Sequence, residues 1–230
     1  MPRFLMAAFL ISILLGGVPC GDALARDGLY GSLTAIGSLA NTRDARNEGA
    51  FGGATTNPNH SDEVAGIGAA LGYEMSVLSG KLRAEVEFHY RFRFDFDENR
   101  PVIDALPNAG LDSNLASATG LVNFNYLTEL GTGPSPYLGV GLGATYYRSD
   151  NEFNDFGVFG RSTEISTGTN FTWAVNAGVL WQAGEDLQVL LGYRYIDMGE
   201  IGFGSFAGGG VQVTADYVSH DVVLGLSYHF

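Results

Sequence analysis

Leu82-Arg83-Ala84-Glu85-Val86-Glu87-Phe88-His89-Tyr90-Arg91-Phe92-Arg93-Phe94-Asp95-Phe96 alternates without a break between apolar and charged or polar side chains. Leu82, Ala84, Val86, Phe88, Tyr90, Phe92, Phe94 and Phe96 fall on one side of an extended chain. Lys81, Arg83, Glu85, Glu87, His89, Arg91, Arg93 and Asp95 fall on the other. A period of two is the signature of a β-strand. Soluble strands usually stop after about five or six residues. This one is long enough to cross a lipid bilayer at a tilt, with its ends projecting into water.

Seven further segments follow the scheme. Tyr30 to Leu39 comes first, weakly patterned, and Val64 to Met75, rich in Ala and Gly, comes second. The fourth sets Ala116, Ala118, Val122, Phe124 and Tyr126 against Ser117, Thr119, Asn123 and Asn125. The fifth sets Leu138, Val140, Leu142, Ala144 and Tyr146 against Gly139, Gly141, Gly143 and Thr145. Phe171 to Trp181, Leu187 to Tyr195 and Val218 to Phe230 complete the set. Trp173 and Trp181 sit near opposite ends of one apolar face, and Tyr193 and Tyr195 lie on the neighbouring one. Two aromatic belts flanking a lipid band predict such a placement.

The connections alternate in length. Short ones lie at Val77–Gly80, Gly131–Pro136 and Ala183–Asp186; long ones are expected at Ala40–Glu63, Asp97–Leu115, Arg148–Thr169 and Asp197–Asp216. Tight periplasmic turns and long extracellular loops have this rhythm. In hydrocarbon an open sheet edge leaves backbone groups unpaired at several kcal/mol each, so the first and last strands must pair. The expected fold is all-β: a closed, eight-stranded, antiparallel up-and-down transmembrane barrel.

The front of the chain names a compartment. Arg3 precedes an apolar run from Phe4 to Leu15, Gly16 and Gly17 break it, and Ala23-Leu24-Ala25 supplies a small-x-small cleavage pattern. We expect residues 1–25 to be a signal peptide and 26–230 the barrel. Lipidation at Cys20 is disfavoured by Val18 and Pro19 before it. Past Ala25 no cysteine remains, which excludes a disulfide framework and a thiolate metal site. The leader holds one Arg and one Asp, so the net charge of −13 belongs to the barrel. Such an acidic chain is unsuited to binding nucleic acid.

The ending Val222-Val223-Leu224-Gly225-Leu226-Ser227-Tyr228-His229-Phe230 resembles the C-terminal signature of bacterial outer-membrane barrels. The resemblance implies that the barrel-assembly machinery reads Leu224, Leu226, Tyr228 and Phe230. Gly192-Tyr193-Arg194-Tyr195-Ile196-Asp197 is similar to the opacity-type family of small surface barrels. That likeness implies an outer-membrane location in a Gram-negative cell and a structural, adhesive or antigenic role, with lipid, lipopolysaccharide and an extracellular or host ligand as partners.

Inside an eight-stranded barrel there is just room for side chains. Lys81, Arg83, Glu85, Glu87, His89, Arg91 and Arg93, joined by Arg194 and Asp221, are expected to form a self-neutralising network there. Glycines 139, 141 and 143, with Ala174 and Gly178, would make space for it. A narrow channel for small solutes is the alternative reading, and a lipid A-modifying enzyme the third. An enzyme needs a nucleophile beside a base; His89 and His229 are expected inward, His89, near Glu87, is the one placed for such a role, and no hydrolase, phosphate-loop or metal spacing accompanies it. The reading therefore calls for no catalytic residue, cofactor or metal. Binding is expected on the long loops, where Phe153, Phe156 and Phe159, and Ile201, Phe203 and Phe206, are expected to pack together.

Overall fold

The computed structural model describes residues 27–50, 59–98, 109–128, 133–155 and 160–230; the expected leader, Cys20, Phe156 and Phe159 lie outside them. Eight strands run β1 Gly28–Asn47, β2 His60–Val77, β3 Gly80–Glu98, β4 Ala109–Thr128, β5 Ser135–Asp155, β6 Gly160–Gln182, β7 Leu187–Phe206 and β8 Val211–His229. They form a closed antiparallel barrel in which every strand pairs with its sequence neighbours. β1 and β8 complete the ring, from Tyr30 opposite His229 to Asn47 opposite Val213. Closure leaves no edge facing lipid, as the backbone requires.

Leu33, Leu71, Val86, Phe88, Leu138, Val140, Leu142, Phe171, Val222 and Leu226 point outward, each more than half exposed. In water a belt of this size would be a large apolar patch; against acyl chains it is the outer wall. Along β3 the belt runs from Leu82 to Phe92. At about 3.3 Å per residue and a tilt near 40° this spans about 25 Å, the height of an outer-membrane apolar band.

The strands, of 18 to 23 residues, are roughly twice as long as the belt needs. This corrects the expected loops. Connections at the long-loop end shrink to residues 48–59, 99–108, 156–159 and 207–210, the last holding a 3-10 turn at Ala207–Gly209. The rest of those stretches continues as strand, and the β5–β6 register runs unbroken from Ser135 opposite Leu180 to Asp155 opposite Gly160.

Bulges hid these extensions from a period-two reading. The register shifts between Arg43 and Arg46, Arg91 and Phe94, Asp197 and Glu200, and Gly202 and Ser205. A bulge inserts an extra residue and swaps the two faces beyond it. Asp44, Gly199 and Gly204 supply the positive φ, at 51°, 73° and 94°. On β7 Met198 continues the inward phase of Arg194 and Ile196; the first swap then turns Ile201 and Phe203 inward, and the second Phe206. On β3 the swap corrects one expected site residue: Arg93 is exposed and Phe94 is fully buried.

Two ladders end early. β2–β3 pairing stops at Gly66 opposite Arg91, and β6–β7 pairing stops at Trp173 opposite Asp197. β3 to β6 and β7-β8-β1-β2 stay laddered above these points. The barrel thus opens into two four-stranded sheets facing each other. Phe94, Leu111, Leu115 and Phe153 from the first sheet pack with Ile201, Phe203, Phe206, Val211 and Tyr217 from the second. Phe153 stacks on Phe206 with ring centroids 5.3 Å apart. Loop aromatics were expected to pack together, and these do so between the sheets.

Candidate functional site: the filled barrel interior

β3 supplies most of the charge because its inward phase carries a polar residue at every second position. Nearest the short-turn end, Glu74 on β2 accepts from Lys81 Nζ at 3.0 Å, with Arg83 Nε 3.4 Å and His229 Nε2 3.6 Å from its other oxygen. The Arg83 guanidinium lies 3.8 Å over the Tyr30 ring, and the Tyr30 hydroxyl donates to Glu85 at 2.6 Å. One tier up, Glu87 accepts from Arg194 Nη2 at 2.7 Å and Asn123 Nδ2 at 2.6 Å. Arg194 Nε donates to Asn176 at 2.9 Å.

The top tier centres on Arg91, fully buried. It pairs with Asp221, which also accepts from Ser219 Oγ at 2.6 Å. Its Nη1 donates to His89 Nε2 at 2.7 Å and lies 3.5 Å from Met198 Sδ. Arg91 therefore sits on the floor of the apolar core. Glu74, Glu85, Glu87 and Asp221 balance Lys81, Arg83, Arg91 and Arg194, four acids against four bases. A buried charge without a partner costs several kcal/mol, so this balance lets the charges remain inside.

Lys81, Arg83, Glu87, His89, Arg91, Arg194 and Asp221 are all 6% exposed or less, and Glu85 is half-buried. Sequence reasoning missed Glu74 and Tyr30. Glu74 follows Gly66, Gly68, Ala70 and Gly72 in the inward phase of β2, the signal that reveals it. The β5 glycines make room: a Cβ on Gly139 would lie 1.9 Å from Asn125 Oδ1, and one on Gly141 2.2 Å from Asn123 Oδ1.

His89, the histidine considered for catalysis, is held among Arg91, Arg194 Nη1 at 3.5 Å and Glu87 at 3.8 Å. The other histidines meet the Asp95 carbonyl (His60), the Tyr193 hydroxyl (His220) and Glu74 (His229). Among the described residues no group of three or more His, Cys, Asp or Glu forms a metal cluster.

On the outer wall, Trp173, Tyr193 and Tyr195 face away from the lumen. Trp173 packs on Tyr195 at 5.4 Å, and Tyr195 on His220 at 5.3 Å. Trp181 also points outward, near the short-turn end of β6; Trp173 lies mid-strand, so the pair brackets the apolar belt and not the whole strand. Leu224, Leu226 and Tyr228 face outward too, and Phe230 is 80% exposed.

A model of the outer membrane protein beta-barrel domain matches residues 8–230. The chain belongs to that family. Membership places this barrel in the outer membrane, where short turns face the periplasm and long connections face outward. The outer membrane protein PagN of Salmonella typhimurium is 24% identical over 187 residues, covering 77% of this chain and 78% of that one. OprG of Pseudomonas aeruginosa shares the fold with a TM-score of 0.51 at 15% identity, over 90% of this chain and 97% of that one. Neisserial surface protein A is similar at a TM-score of 0.48 and 18% identity, over 88% and 97% of the two chains.

Proposed function

We propose that this barrel is a non-enzymatic surface protein that works through its extracellular extension, in adhesion to an extracellular or host ligand and in supporting the outer membrane. One observation carries the reading: a charge-balanced polar network is capped by an apolar core, so the interior is filled while polar side chains cover the outside of the extension. Leu224, Leu226, Tyr228 and Phe230 serve as the mark for the barrel-assembly machinery. Trp173, Trp181, Tyr193 and Tyr195 anchor the wall at the lipid interfaces, with lipopolysaccharide the outer-leaflet neighbour. The chain needs no cofactor.

A narrow channel is the second reading. It is favoured by a cavity within the network, lined by Arg83, Glu85, Glu87, Asn125, Tyr137 and Arg194 among others. Planar-bilayer recording together with a cell-adhesion assay separates the two. A silent bilayer and an adhesive cell are expected. A steady conductance that changes in Glu87→Ala would sustain the channel and end the adhesive reading if adhesion is absent. Altered lipid A in cells making the protein would instead point to an enzyme.

A further inference from the structure

The seam between β6 and β7 leaves one strand edge open. Over Gly160–Thr172, β6 pairs with β5 residue for residue, but its ladder with β7 begins only at Trp173. β7 runs past the inward side chains of β6: a Cβ on Gly199 would lie 3.0 Å from Asn170 Cβ, and one on Gly204 3.0 Å from Glu164 Oε2. Those side chains cap β7's backbone. Asn170 Nδ2 donates to the carbonyls of Met198 at 3.1 Å and Glu200 at 2.5 Å. Ser205 N donates to Glu164 at 2.7 Å, and from β5 the Tyr147 hydroxyl accepts from Gly202 N at 3.1 Å. Among the described residues the facing edge of β6 carries no equivalent caps.

That edge is only partly protected. Sheet edges are shielded by proline, by lysine or other charges, or by a bulge; Gly160–Thr172 carries Arg161 and the inward Glu164, engaged by Glu152 and by Ser205 N, but no proline or lysine, and its register with β5 is regular. It alternates Thr163, Thr167 and Thr169 with small or polar inward residues, and Ile165 stands 58% exposed. Unpaired strand backbone selects one kind of occupant, another extended chain.

Charge narrows the choice. Around the edge stand Asp150, Glu152, Glu164 and Glu200; Arg148 pairs with Asp150 at 3.2 Å, Arg161 with Glu152 at 2.5 Å and Arg46 with Glu200, which leaves the edge acidic by one charge, that of Glu164. The chain as a whole carries −13, so a second copy is repelled and a basic segment is attracted. We propose that the β6 edge at Gly160–Thr172 accepts, as an added strand, an extended polypeptide segment with Lys or Arg at alternate positions, presented by a protein outside the cell. The inference rests on the reading that the extension is the recognition face.

The test uses the full barrel in lipid nanodiscs and a short synthetic peptide alternating Lys and Thr, its carbonyls isotope-labelled. Fluorescence anisotropy should show saturable binding, and infrared spectra should show the labelled carbonyls entering a β-ladder. N-methylation at alternate peptide residues removes backbone donors while keeping the charge, and should weaken binding about tenfold or more, as expected when several hydrogen bonds are lost. Thr163→Lys/Thr167→Lys, both outward and exposed, should weaken it likewise. Equal binding of the N-methylated peptide, or no saturable binding, overturns the proposal. A dimer cross-linked through Arg161–Thr172 overturns the choice of partner. Cell adhesion unchanged in the double variant would sink the β6 edge alone, whereas absence of adhesion by the unaltered protein would sink the broader reading.

Discussion

Within the lipid belt the barrel is polar inside and apolar outside; beyond it the same strands bury a largely apolar core, with Ser113, Ser149 and Asn151 hydrogen-bonded together on one wall, and are polar outside. At the level of Arg91 and Trp173 the medium changes from hydrocarbon to water, and the wall changes its pattern with it. Each half buries what its own surroundings reject. In the belt, charge is hidden and hydrogen-bonded because lipid cannot solvate it; in the extension, Phe94, Phe153 and Phe203 are hidden because water will not. Bulges let one strand satisfy both, switching faces where the solvent switches.

The largest effect should come from breaking the lower half's charge balance. Arg91→Leu leaves Asp221 buried and unpaired, for a loss of about 3–5 kcal/mol. Urea unfolding in lipid vesicles measures it, and adding Asp221→Leu should restore much of the loss. Next comes the upper core. Phe203→Ala should remove about 3–4 kcal/mol from the extension; limited proteolysis should then cut the extension while the belt stays resistant. If both halves unfold together, they are one cooperative unit and the contrast is only one of composition.

A smaller effect tests the switch itself. Gly199→Val forces a branched side chain into a positive φ, at about 1–2 kcal/mol, and should loosen the extension without disturbing the belt. Tyr217, in the core above Arg91, is pushed up to about 12 by burial. Its folded pKa exceeds its unfolded value of 10.0, so its contribution is intact below pH 10 and is lost as pH climbs toward 12. Ultraviolet absorbance should show this tyrosine ionising late, together with loss of protease resistance in the extension. The smallest effect sharpens the comparison most. Arg93→Ala, two residues from Arg91 but exposed, should change stability by less than about 0.5 kcal/mol.

The belt was legible in the sequence because lipid imposes one rule on every strand. Outward Val86, Phe88 and Leu142, inward Arg83, Glu87 and Asn123, and the closure of eight strands all follow from period two. The extension was not, because its rule is interrupted. Asp44, Gly199 and Gly204 shift the phase, so Ile201, Phe203 and Phe206 read as irregular loop, and Arg93 read as one more lumen residue. Where Arg93 points depends on how β3 registers with β4, a long-range fact that its neighbours in sequence do not encode. Glu74 was legible in principle, at the end of an inward row of small residues.

The pairing of Tyr30 with His229 has a consequence for how the protein comes into being. No other ladder joins strands so far apart in sequence, and contacts between distant residues are slow to form because a long chain must first be gathered. The ring cannot shut until β8 exists, so synthesis of the first seven strands yields no finished wall. The polypeptide must therefore travel with its alternating faces unpaired and sticky. Assembly, more than the stability of the finished barrel, is the step at which this molecule is most exposed to failure.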